Sequence, residues 1–297
     1  MFDIFDNIFD GFLHYATTYV DAGTTPRRPH NITAVGNDWI APSVEIHPRD
    51  DHDTEMIRHI QAHKQRLRAH PFYEWLRTDQ HSPTERLRLF VPMWVMDILG
   101  YRDLNRYALT YAEPLSAAEH AVNAWASRLS EHSGLFFSDW QALGLDEVLG
   151  HAASGALEWL FLDPDMDLHR QNMIEFAKTA LRHRDPALRW WMMIALESTG
   201  EEFFAQIRPL ALAAETETGR QLDYLAGRHD PPIAARSTGG DTDGAAPVPL
   251  TGDQLELAKE VTSHVFDSME RQLWRSYAIA RAGKYAIPAE GRRVRLG

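Results

Sequence analysis

Residues 87–104 read LRLFVPMWVMDILGYRDL, and one face of that stretch settles the class of fold. Leu87, Phe90, Trp94, Asp97, Tyr101 and Leu104 recur at intervals of three and four, the spacing of an amphipathic helix whose apolar side faces a core. The carboxylate of Asp97 interrupts that seam with large apolar residues on both sides, so it is expected to be buried. A buried, unpaired carboxylate costs several kcal/mol or more, so the group must pair, shift its pKa or bind a cation. The same spacing passes through an imidazole in Val122, Trp125, Leu129, His132, Phe136 and Trp140. It passes through two acids in Trp190, Ile194, Glu197, Glu201 and Phe204, with Glu202 beside them. A single helical interior can collect such groups, which is how bundles build metal or acid/base sites.

Composition narrows the partners. The 297 residues are 44% hydrophobic and 10% aromatic with nine Trp, enough for a substantial core. A net charge of -12 disfavours the phosphate-neutralising surface that nucleic acids require and argues equally against anionic membranes, leaving small molecules or proteins as the expected partners. The absence of Cys removes disulfides, thiolate metal sites, iron–sulfur clusters and cysteine nucleophiles, so His, Asp and Glu are the strong ligands left. The N-terminus has no basic start of a secretory signal, and no apolar run reaches membrane length, so the expected location is cytoplasmic.

Along the chain, residues 1–53 read as a short helix carrying Phe2, Phe5, Phe9 and Phe12, then a proline-punctuated connector over 22–53. So apolar a helix must be covered, either by docking on the body or by forming a homodimer across a two-fold axis. Residues 54–285 read as one helical bundle domain, and 286–297 as a basic tail. Within the bundle, Met56, Ile60, His63, Leu67 and His70 form a first helix that Pro71 stops and HPFYEWL resumes. Ser82-Pro-Thr-Glu85 caps a second helix that runs towards Leu109 and bends at Pro92. Ser116 and Glu119 make a capping box for the helix of His132, Gly144 ends it, and Asp146 caps the next. Helices are expected over 146–161, 166–183 and 186–226, then a Gly/Pro/Asp-rich flexible loop over 228–253. Thr251 and Gln254 cap a last helix with Leu257, Val261, Val265, Met269, Leu273 and Trp274 on its inner face. No strand alternation interrupts this pattern, and the class is all-α.

Each polar interruption has two readings. Asp97 is a metal ligand or proton carrier, or a structural acid bonded to a neighbouring helix. His132 is a ligand or a core histidine satisfied by a carboxylate. Glu197 and Glu201, one turn apart, can reach one cation or share one proton, or else form a solvated acidic end. His264, Asp267 and Arg271 fall on one stripe of the last helix, as a surface salt-bridge ladder or with His264 turned inward beside Val261 and Val265. The chain has no Glu-x-x-His, no His-Glu-x-x-His, no phosphate-binding P-loop and no Gly-x-Gly-x-x-Gly.

The helix order resembles the haem-oxygenase-like superfamily, which includes thiaminase-type and PqqC-type proteins and non-haem di-iron oxidases. It is carried by His63 leading into HPFYEWL, then FVPMWVMDILGY, EHSGLFFSDWQALGLD and RWWMMIALESTGEEFF, over about residues 56–283. The resemblance implies a haem-oxygenase-like multi-helix bundle with an N-terminal extension. It also implies Asp97 in the place of the second-helix acid, His132 in that of the third-helix histidine, and His63 where the haem branch has its iron ligand. The chain departs from the di-iron pattern in lacking an acid between Ala121 and Ser130 and a His-x-x-x-Asp-x-x-His run. Those departures favour a one-metal site or a metal-free pocket, and haem is the lesser expectation.

The leading expectation is a soluble enzyme of specialised metabolism, a non-haem iron-dependent oxidase or oxygenase of a small organic molecule. Asp97, Glu197 and Glu201 would act in catalysis, with iron held among Asp97, His132, Glu197, Glu201 and His264. Trp94, Tyr101, Trp125 and Trp190 would line the substrate pocket. Two alternatives stay open. One is a metal-free pocket with cyclase-like or thiaminase-like acid/base chemistry, and the other a non-catalytic binding or scaffold protein.

Overall fold

The computed structural model describes residues 48, 50–129, 133–228 and 249–285. The chain divides after Ile40, and the unit from Ala41 onward holds every described element. The Phe-rich N-terminal helix and its dimer, His132, most of the 228–253 loop and the basic tail lie outside the described residues. All regular structure among the described residues is helical, with no strand, as the spacing requires. No described helix is long and apolar enough to cross a membrane.

Helix α1 (Asp51–Arg68) starts three residues inside the expected connector, because Asp50 accepts from the Asp53 amide and caps it. His70 separates it from α2 (Pro71–Thr78) and caps the new helix by accepting from the Phe72 amide at 3.1 Å. Ser82 and Glu85 close their capping box at α3 (Pro83–Arg88). The expected bent helix is instead broken: a 3₁₀ turn (Val91–Trp94) follows, then α4 (Val95–Asp103) and a π-helical turn (Leu104–Ala108). Pro92 cannot donate to the ladder, so the chain tightens around it. The seam survives the break, with Leu87, Phe90, Trp94, Asp97 and Leu104 all buried.

The capping box of Ser116 and Glu119 holds, with reciprocal bonds of 3.2 and 2.9 Å at the head of α5 (Ala117–Leu129). Beyond residues 130–132, which are not described, lies α6 (Ser133–Ala142). Asp146 does not cap the next helix. Gly144, in the left-handed region at φ 65°, occupies that place before α7 (Leu145–Leu149), and Asp146 instead accepts from the Trp140 indole at 2.7 Å. The left-handed Gly150 ends α7, so the helix expected over 146–161 is two, α7 and α8 (Ala153–Phe161). Then come α9 (Asp167–Arg182) and α10 (Pro186–Thr218), which ends eight residues early at the left-handed Gly219.

The last helix, α11 (Gly252–Ala282), begins at the Thr251–Gln254 capping box. Its buried face includes Val261, Val265, Met269 and Leu273 as expected, but Trp274 is 47% exposed. The buried face also extends one position to the side, over Ser268, Gln272 and Ser276, and so brings polar side chains inward. Helix α10 is the central rod, packed by α11, α3, α1 and α5, while α9 lies against α4 and α11.

Candidate active site

Three fully buried polar side chains from three helices meet at Asp97. One carboxylate oxygen faces His169 Nδ1 from α9, and the other accepts from Gln272 Nε2 on α11. The route to this meeting is local. Asp97, Gly100 and Tyr101 share a face of α4, and His169, Met173 and Phe176 share one of α9. A Cβ on Gly100 would sit 2.6 Å from Met173 Sδ, so the missing side chain lets α9 approach. Tyr101 then stacks on Phe176 at 6.2 Å, keeping the two faces in step.

The pairing sets the tautomer. A carboxylate at Nδ1 holds the ring proton there, so the neutral ring carries its lone pair at Nε2. Among the described residues that Nε2 is buried and has no hydrogen-bond partner. Gln272 Oε1 and Asn172 Nδ2, the latter one turn along α9, are likewise buried without a partner. Buried polar atoms are seldom left unmatched in a structural core, and two of these three belong to the side chains that hold Asp97.

Trp94 walls the dyad, its ring 6.3 Å from that of His169. It stacks on Phe203 at 4.3 Å and donates from Nε1 to Ser276 Oγ at 3.0 Å. Burial holds the Tyr101 phenol well above its ordinary range, and the negative charge of Asp97 adds to the shift. Tyr224 is raised chiefly by burial and then by Glu197, Asp139 and Asp97, so its phenol feels three carboxylates at once. Asp139, on α6, accepts from the Leu225 amide at 2.7 Å and thereby ties down the turn that carries Tyr224. Burial, its largest influence, pushes the Asp139 carboxyl up to about 7 against the backbone amides that lower it.

The other expected site residues disperse. Glu201 does not point at Asp97's partners but pairs with Lys64 of α1 at 2.9 Å. Its neighbour Glu202, expected at a solvated end, is 1% exposed and takes a two-pronged bond from Arg68 at 2.7 and 3.0 Å. Beyond Ile194, where Ser198, Glu202 and Phe203 are buried, the buried face of α10 is thus rotated by one residue from the expected one. Glu197 is partly buried and acts on Tyr224. His264 lies edge-on to Phe176 at 6.1 Å, with Nε2 buried and unpartnered. Of the expected ladder, Asp267 pairs with Arg66 of α1 at 2.5 Å, and Arg271 donates to Ser268. Trp125 and Trp190 meet edge to face at 5.0 Å and pack α5 on α10. His63, the haem-branch position, stacks on Phe266 and contacts Ser263 through Nε2.

Of the five residues expected to hold iron, His132 lies outside the described residues. Asp97 has both oxygens engaged, Glu201 is neutralised by Lys64, and no three His, Asp or Glu side chains among the described residues are placed to hold a metal ion. His169, Gln272, Asn172, Asp139 and Tyr224 were not singled out from the sequence. One signal was available for the first: His169, Asn172, Phe176 and Ala180 form an apolar-spaced face interrupted by an imidazole, the same pattern that marked Asp97.

No family model matches the chain, and no curated protein does. Among solved structures the chain is similar to a TenA homolog from Pseudomonas syringae pv. tomato. The TM-score is 0.49 at 16% identity, over 76% of this chain and 92% of that one.

Proposed function

We propose that this chain is a helical-bundle enzyme that moves a proton on a small organic molecule, with His169 as the general base and Asp97 as the group that orients it. The observation that carries the reading is the buried His169 ring, held by Asp97 at Nδ1 and bare at Nε2. Such a carboxylate–imidazole pair fixes the tautomer and stabilises the imidazolium that forms when Nε2 takes a proton. Gln272 holds the carboxylate in turn, so the dyad is braced from a third helix. The raised phenols of Tyr101 and Tyr224 remain protonated near neutrality and supply donors on the same side as Asp97. Trp94 offers a flat wall for an unsaturated or cyclic substrate. The cytoplasmic location and the haem-oxygenase-like lineage belong to this proposal, and no step is routed through iron.

Untargeted mass spectrometry of a complete small-molecule extract, incubated with the full chain in D2O, tests the reading. Wild-type protein is expected to consume or deuterate at least one compound, in the presence of EDTA as in its absence. A well-placed general base contributes about 10²–10⁴-fold, so His169→Gln is expected to lose at least about 10² while keeping its helical circular dichroism. No change in any compound, turnover lost on chelation and restored by Fe(II), or undiminished turnover by His169→Gln would each overturn it.

A further inference from the structure

A second imidazole cluster lies on the α1–α11 seam, outside the dyad. His59 and His63 stand one turn apart on α1, the spacing that places two side chains side by side on a helix. Both direct Nε2 at one point, the Ser263 hydroxyl of α11, from 2.9 and 3.2 Å. Their ring centroids are 4.7 Å apart at 71°, and His63 is held flat against Phe266 at 5.0 Å. Two imidazoles converging on one oxygen within hydrogen-bond distance need only turn towards each other for a single ion, about 2.0–2.1 Å from each nitrogen, to join them.

We propose that His59 and His63, with the Ser263 hydroxyl beside them, bind one divalent transition-metal ion of the zinc and copper class and so clamp α1 to α11. Imidazole nitrogen suits these ions, and the site offers no thiolate or carboxylate-rich cage that would favour others. His59 interacts through its ring with the Lys259 backbone carbonyl, the outer contact that typically fixes a ligating histidine with its lone pair on the far nitrogen. Two cations flank the site, and each is already neutralised. Lys259 of α11 pairs with Glu55 at 2.5 Å and Glu256 at 2.8 Å, and Arg66 of α1 pairs with Asp267 at 2.5 Å and Glu270 at 3.0 Å. Both rings are partly exposed, so an ion and its remaining waters can enter from solvent.

The test is Cu(II) titration of the full chain, followed by equilibrium dialysis and electron paramagnetic resonance, with His59→Gln and His63→Gln beside it. The chain carries fifteen His, so the expected signature is specific: one tightest site whose spectrum shows two nitrogen ligands. Each variant should weaken that site at least tenfold and reduce the spectrum to one nitrogen, while circular dichroism stays unchanged. Saturating Zn(II) should raise the melting temperature of wild type by several degrees and of neither variant. A tightest site with the same affinity and spectrum in wild type and both variants would overturn the proposal and leave the cluster as a hydrogen-bonded contact. Agreement of all three melting temperatures with and without Zn(II) would do so equally.

Discussion

Asp97 and the Glu201–Glu202 pair all interrupt apolar helix faces, yet their partners differ in kind. Glu201 and Glu202 meet Lys64 and Arg68, whose charges are permanent, and Gln206 takes a further bond to Glu202. Those contacts neutralise the acids and staple α1 to α10. Asp97 meets an imidazole and an amide, each with a second polar atom left over. A carboxylate paired with a permanent cation is finished chemistry, whereas one paired with imidazole passes its influence through the ring to Nε2. The acid of a site is therefore recognised by what its partner can still do.

The largest test of that contrast is Asp97→Ala. It leaves the His169 and Gln272 donors buried without their acceptor, and breaking a buried pair of this kind costs about 3–5 kcal/mol. Urea denaturation measures it, and a loss under about 1 kcal/mol would mean that water or a rearranged side chain replaces the carboxylate and that the site is open rather than sealed.

Asp139 stands between the two cases, a buried acid held by backbone amides of the 223–225 turn rather than by a cation or an imidazole. Its carboxyl lies at about 7 in the folded chain against an ordinary value of 3.8, so between those values the native state binds more protons than the unfolded one. Stability therefore falls as pH rises through that window, by up to about 1.4 kcal/mol per unit, and levels above it. Unfolding free energies at pH 5, 6 and 7 should show that fall in wild type and a flatter profile in Asp139→Asn. Parallel profiles would place Asp139 with the neutralised acids of α10.

The smallest effect is expected at the staple. Lys64→Met leaves Glu201, whose side chain is 16% exposed and can turn to water, so the loss should be about 1–2 kcal/mol. A double-mutant cycle with Glu201→Gln should return most of that as coupling, and additive losses would show that the pair contributes packing rather than charge.

Much of the framework was legible along the chain. The seam from Leu87 to Leu104, and the caps at Ser82, Ser116 and Thr251, follow from spacing and from local bonds that close within four residues. Lengths were overestimated where a proline or a left-handed glycine ends a ladder, at Pro92, Gly150 and Gly219. The site was half legible. Asp97 announced itself because large apolar residues flank it on both sides, while His169 sits among Asp167, Arg170 and Gln171, whose polarity hides the buried face it belongs to.

What the sequence by itself determined is periodicity: an all-α chain, the burial of Asp97, and the places where helices begin, all of them consequences of side chains three or four positions apart. Partnership was decided only by the tertiary structure. Asp97 and His169 are 72 positions apart, and Asp97 and Gln272 are 175. Whether an acid meets an imidazole or a lysine depends on how helices are rotated about their axes when they pack. A one-residue change in that rotation moved the buried position from Glu201 to Glu202, and it left Leu273 inside while turning Trp274 out. Side chains on neighbouring positions differ by about 100° around a helix, and no local pattern resolves so small a step when apolar residues lie on both sides of it.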